Sequence, residues 1–153
     1  VLELNAFCRS RLERFRVIAN GKQQCLELGG LESLYVSADP NFLREVVDNL
    51  ISNAIKYSQK GKSIVVNLSM NHDFGVVSVV DQGPGFTEED KKKIFGRFAR
   101  LSAKPTGGEP SVGLGLSIAK QMVEAMDGKI VLESEAGCGA TFRVLLPLAT
   151  SGA

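Results

Sequence analysis

Asn49, Asn53, Lys56 and Tyr57 fall at spacings of four, three and four along one apolar stretch. Residues three and four apart share a helix face, so two amides, an ammonium and a phenol form a polar row among core-forming neighbours. An amide carbonyl oxygen is a hard, neutral ligand of the kind magnesium accepts, and phosphates and water complete that ion's octahedron. Lys56 would neutralise phosphate charge, and Tyr57 would lie along a base or ribose. Taken alone, the row reads equally as a solvated helix edge. Asp81-Gln82-Gly83-Pro84-Gly85 follows an apolar run. Its glycines allow a sharp turn and close approach to a ligand, and Asp81 could accept a hydrogen bond from the exocyclic amine of adenine. The same composition also describes an ordinary tight turn. Gly113-Leu114-Gly115-Leu116 opens a further helical stretch, where free amide N–H groups and the positive helix end suit a phosphate chain. A lid hinge would use the same residues. No Gly-Lys-Ser/Thr follows, which excludes a Walker loop, and no parallel strand-turn-helix unit contains the glycines, which excludes the dinucleotide fingerprint.

These residues need elements to hold them. Phe7, Leu12, Phe15 and Ile18 predict a buried helix face over residues 6–19, ended by Gly21. Gln24 to Leu28 reads as a strand, Gly29-Gly30 as a turn, and Leu34 to Val36 as a short strand. Asp39 is a helix N-cap with Pro40 at the first helical position, and a wide stripe from Phe42 to Ile55 predicts a long helix ending near Ser58. Alternation over residues 63–81 predicts an antiparallel hairpin turning at residues 71–75. Residues 82–112 hold three of the five prolines and a short helical piece around Glu88 to Phe95, a long irregular stretch of the kind that serves a site. Leu116, Ala119, Met122, Val123 and Met126 mark a third helix stopped by Gly128. Ile130 to Glu133 and Ala140 to Leu146 form a closing hairpin across Gly137-Cys138-Gly139. The order predicts an α+β two-layer sandwich, with three main helices on one face of a mixed, mainly antiparallel sheet.

The 153 residues suffice for one core, and 18 Lys and Arg against 17 Asp and Glu give no broad basic field for nucleic acid. Three widely spaced cysteines without a CxxC pair suit reduced thiols. No apolar stretch reaches the roughly 20 residues that cross a bilayer. The chain opens on Val1 rather than Met, which suggests a piece of a longer protein.

Together, Asn49 to Tyr57, Asp81-x-Gly83-x-Gly85, Phe95-Gly96-Arg97-Phe98 and Gly113-Leu114-Gly115-Leu116 resemble the N, first glycine, F and second glycine boxes of sensor histidine kinases, in order and spacing. Gly137-x-Gly139-Ala140-Thr141-Phe142 and Leu146-Pro147 extend the resemblance across essentially the whole chain. It implies an ATP-binding catalytic domain over residues 1–148 with an ATP lid at about 97–112, and a frayed tail at 149–153. By resemblance, Asn53 is the magnesium ligand, Asn49 and Lys56 assist with metal and phosphates, and Tyr57 lines the nucleotide pocket. Asp81 would read adenine with Thr141 nearby, while Gly83 and Gly85 shape the adenine pocket. Gly113, Leu114, Gly115 and Leu116 would wrap the triphosphate, Arg100 would reach the terminal phosphate, and Arg97 would help. Ser111 and Val112 stand where a further lid glycine is common in the family, and Gly96 and Ala99 replace larger or acidic residues; these departures concern the lid.

Related ATPases of the superfamily carry a water-activating glutamate where this chain has Asn49. An amide cannot accept a proton from water at neutral pH, so the resemblance favours an ATP- and Mg2+-dependent histidine kinase over an ATPase. A nucleotide-holding scaffold and a serine kinase of the anti-sigma type are the competing readings. His72 lies in the hairpin turn and resembles no acceptor motif. The resemblance therefore places the phosphoacceptor histidine on dimerisation helices upstream of Val1. It implies a response regulator receiver domain as indirect partner, a monomeric isolated domain, and a cytoplasmic location within a parent that an inner-membrane anchor would suit.

Overall fold

The computed structural model describes residues 1–83, 85, 88–89, 115–134 and 139–149. Helix α1 spans Leu4–Gly21, beginning earlier than the apolar spacing predicts because Glu3 caps it. The Glu3 carboxylate accepts from the backbone N–H of Asn5 at 2.6 Å, Ala6 at 3.1 Å and Leu34 at 3.2 Å. These bonds hold its pKa below the ordinary value against the opposing effect of burial, which is the largest single contribution. Leu4, Cys8 and Leu12 form the fully buried stripe, whereas Ile18, expected on that face, is 53% exposed.

Helix α2 spans Pro40–Tyr57 and starts as its sequence predicts. The Asp39 carboxylate accepts from Asn41 N and Phe42 N at 2.8 and 3.2 Å, and Pro40 supplies the first turn. Leu43, Val46, Val47, Leu50, Ile51, Ala54 and Ile55 bury its inner face. Arg11 joins the two helices by donating twice to Asp48, Nε at 2.8 Å and Nη2 at 2.6 Å. Helix α3 spans Gly115–Ala125 and packs Leu116, Ala119 and Val123 into the same core beside α2.

The helices cover one face of a sheet built from β2 (Cys25–Gly30), β4 (Ser63–Asn71), β5 (Phe74–Asp81), β6 (Lys129–Ser134) and β7 (Ala140–Pro147). The order is β2-β4-β5-β7-β6; β2 and β4 are parallel and the other neighbours antiparallel, as the sequence order implies. Helix α2 lies in the connection from β2 to β4, the long return that a parallel pair needs. Gly29 and Gly30 are not the expected turn. They belong to β2 and pair with Asn67 and Leu68. The β4–β5 hairpin closes on His72 and Asp73 between the paired residues Asn71 and Phe74, with His72 at φ 53°.

A second small sheet pairs β1 (Leu2–Glu3) with β3 (Tyr35–Val36), and Val36 bridges to Leu148. Ser37 N donates to Pro147 O at 2.9 Å and Ala149 N to Tyr35 O at 3.1 Å, so Ala149 is tied down rather than frayed as the sequence suggests. Residues 150–153 of the expected tail lie outside the described residues.

Candidate functional site

The apolar stripe that docks α2 on the sheet fixes which of its faces remains available. Asn49, Asn53 and Lys56 are half-buried along the flank of that stripe, and Tyr57 is buried at the helix end. The expected row therefore exists as one helix face. Strand β5 brings the second group. Its residues Val77, Val79 and Asp81 point to the helix layer, because Val79 pairs with the core residue Val66 and side chains alternate across a sheet. Asp81 thus ends β5 beneath the helices, close to the last turn of α2.

Two glycines allow this convergence. A Cβ on Gly83 would stand 2.6 Å from Tyr57 O, so the chain leaving β5 can pass the end of α2 only as glycine. Gly139, with φ 80°, lies against the backbone carbonyl of Asp81, where a Cβ would collide. Gln82 N donates to Ser58 Oγ at 3.3 Å, and Gln82 Oε1 accepts from Ser63 N at 2.9 Å. The exit of β5, the end of α2 and the start of β4 are stitched together.

Asp81 is 8% exposed, and burial pushes its carboxyl up to about 6, against the backbone N–H groups of Gly83 and Ala140 that favour the ionised form. Gly83 N donates to Asp81 Oδ1 at 3.0 Å. Near neutral pH the side chain remains mostly a carboxylate, an acceptor held in a dry site. It suits a ligand that brings an N–H donor.

Thr141 does not join it. Asp81 pairs with Ala140, while Thr141 pairs with Val80 and Glu133 and so faces the opposite side of the sheet. The expectation that Thr141 lies beside Asp81 is corrected to Ala140, one position earlier. Gly85 is buried with φ 72°, next to this turn. Gly115 opens α3, and the Leu116 side chain is 9% exposed within the core, leaving only its backbone for a ligand. Arg97, Arg100, Gly113, Leu114, Ser111, Val112 and the expected lid lie outside the described residues, as does most of the helical piece expected after Glu88. Among the described residues no group of three or more His, Cys, Asp or Glu could hold a metal ion.

Residues 38–150 match the family described as histidine kinase-, DNA gyrase B- and HSP90-like ATPase. The chain belongs to that family. Within it, the relatives are sensor kinases, and the chain has the fold of a histidine kinase catalytic, ATP-binding domain. It is 40% identical over 116 residues to the sensor histidine kinase WalK of Bacillus subtilis strain 168, covering 74% of this chain and 19% of WalK. It is 33% identical to the heme sensor protein HssS of Staphylococcus saprophyticus, covering 94% of this chain and 30% of HssS. The chain thus spans less than a third of these relatives. The solved structure of the mycobacterial sensor histidine kinase MprB superposes with a TM-score of 0.85 at 26% identity, covering 96% of this chain and 97% of that one. Full-length ShkA in complex with AMPPNP superposes with a TM-score of 0.84 at 26% identity, covering 99% of this chain and 31% of that one.

Around Asp81 the fold also brings together residues to which the sequence reading gave no role. Ala140 is set opposite Asp81 by the β5–β7 register, and the Gln82–Ser58 bond joins the exit of β5 to the end of α2. Alternation along β7 marks Ala140 and Phe142 as sharing a face, but nothing local in the sequence sets that face against Asp81.

Proposed function

We propose that this domain binds ATP together with Mg2+ and transfers the γ-phosphate to a histidine carried on a separate helical segment. The observation that carries the reading is the convergence of Asp81 with the end of α2, a buried acceptor beside a row of amides and a lysine. In this reading Asp81 accepts from the exocyclic amine of adenine, and the Tyr57 ring lines the pocket. The Asn53 carbonyl oxygen would hold the metal with Asn49 beside it, and Lys56 would neutralise phosphate charge. Magnesium, when bound, supplies charge neutralisation across the phosphates. The amides of Gly113, Leu114, Gly115 and Leu116 would face the phosphates at the start of α3, with Arg100 and Arg97 reaching the terminal group. That full-length ShkA, which shares this fold over 31% of its chain, is in complex with AMPPNP supports a nucleotide as the ligand.

Asn49 stands where a water-activating base would be required. Its amide takes no proton, so the side chains favour transfer to an imidazole, which brings its own nucleophilic nitrogen, over hydrolysis. His72 sits in the hairpin turn at the Phe74 end of β5, remote from Asp81, so the acceptor belongs to another segment. We place the domain in the cytoplasm, where ATP is supplied; no helix of the described residues is long and apolar enough to cross a membrane.

Calorimetric titration with ATP and AMPPNP, with and without magnesium, tests the reading. Saturable, magnesium-dependent binding is expected; no binding at millimolar nucleotide would overturn it.

A further inference from the structure

The last turn of α2 lacks the usual means of satisfying its carbonyls. Its C-cap, Ser58, is extended at φ −78° and ψ 142°, so no left-handed glycine cap folds the chain back over the helix end. Donors come instead from the segment joining α1 to β2. Lys22, 8% exposed, donates from Nζ to Ile55 O at 2.7 Å and Lys56 O at 3.4 Å. Gln24, 2% exposed, donates from Nε2 to Ser58 O at 2.9 Å, Ile55 O at 3.2 Å and Gln59 O at 3.5 Å. The amide is oriented entirely for these carbonyls, since its own Oε1 is buried without a hydrogen-bond partner. An ammonium at a helix C-terminus also meets the negative end of the helix dipole.

The carbonyls held this way bracket two site residues, Lys56 and Tyr57, on both sides. The remaining carbonyl of the turn, Tyr57 O, is the one that Gly83 packs against. We infer that Lys22 and Gln24 are positioning residues for the nucleotide site, fixing the last turn of α2 so that Lys56 and Tyr57 present to ligand and Asp81 stays in register with them. The inference rests on the reading of α2 as the nucleotide-binding helix. Neither residue touches ligand in this assignment; both act through the α2 backbone. A displacement of about 1 Å at such a turn is enough to weaken binding by an order of magnitude or more.

The test uses the whole chain and its two tyrosines, Tyr57 at the site and Tyr35 in β3 as internal reference. Ring resonances and the Kd for Mg-ATP are measured for the unaltered chain, Lys22→Met and Lys22→Arg. In Lys22→Met the Tyr57 resonances should shift while those of Tyr35 stay, and Kd should rise about tenfold. Lys22→Arg, which keeps a cationic donor, should restore both. Should Lys22→Met not fold, Gln24→Met carries the same two readouts. Unmoved Tyr57 resonances and a Kd within about twofold of the unaltered chain would overturn the inference while leaving the nucleotide reading intact. Failure of the unaltered chain to bind Mg-ATP would overturn both.

Discussion

At the end of β5, Asp81 is 8% exposed and enclosed by the Tyr57–Gly83 contact on one side and Gly139 and Ala140 on the other. One to two turns back along α2, Asn53 and Asn49 lie half-buried on a helix flank. The enclosed half suits discrimination, because a ligand that fails to donate there covers a buried carboxylate without adding a donor to those of the backbone. The open half suits charge, because magnesium retains water and needs few protein atoms. On the proposed reading the two halves differ in what a substitution costs and in whether metal changes that cost.

The largest effect is expected at the enclosed end. Asp81→Asn should weaken ATP binding by about a hundredfold or more, since the amide presents a different donor and acceptor pattern to the base. The same change should stabilise the fold. The Asp81 carboxyl is raised in the folded chain, so ionising it opposes folding progressively as pH rises from the unfolded value near 4 to about 6 and fully above that. Removing the charge should raise neutral-pH stability by on the order of 1–2 kcal/mol, read as a higher Tm; an unchanged or lower Tm would break the link between burial and function.

Next comes the open end. Asn53→Ala should cost about tenfold in affinity when magnesium is present and little in its absence. Equal losses in both conditions would remove Asn53 from the metal and erase the contrast between the halves. Gly83→Ala brings a Cβ to 2.6 Å from Tyr57 O, and should cost about 1–3 kcal/mol of stability together with several-fold in affinity. A neutral outcome in denaturant unfolding and nucleotide titration would show that the turn yields freely.

A titration sharpens the comparison further. The Asp81 carboxyl carbon, followed by NMR, should titrate near pH 6 in the free chain and lower with nucleotide bound, since binding favours the ionised form. An unmoved midpoint would deny Asp81 contact with the ligand. Smallest of all, Thr141→Val should change ATP affinity less than about twofold, because Thr141 faces the far side of the sheet. A large loss would mean that the open face takes part in binding.

The legible parts of this molecule were those written in local pattern. Asp39-Pro40 and the stripe that follows specify α2 and the row it carries. The alternation around residues 63–81 specifies a hairpin that ends on Asp81. What escaped was set by pairing between distant segments. Whether Ala140 or Thr141 stands opposite Asp81 depends on the β5–β7 register, and a slip of one residue exchanges the faces. Gly29-Gly30 read as a turn because glycine is common in turns, yet the parallel partner β4 extends the strand through both. Ile18 fits a helical spacing but lies half-exposed, outside the core. Gln24 reads only as the start of a strand and Lys22 as part of the link after Gly21, because their carbonyl partners lie 31 to 35 residues further on.

The bonds that tie β3 to Pro147, Leu148 and Ala149 sit at the Phe74 end of β5, whereas Asp81 occupies the other end of the same eight-residue strand. At about 3.3 Å per residue, the handle and the pocket are separated by roughly 23 Å. Among the described residues, the N-terminal strand β1 is held there through β3, and Pro147 to Ala149 directly. The described residues nearest both termini thus meet at the end of β5 opposite Asp81.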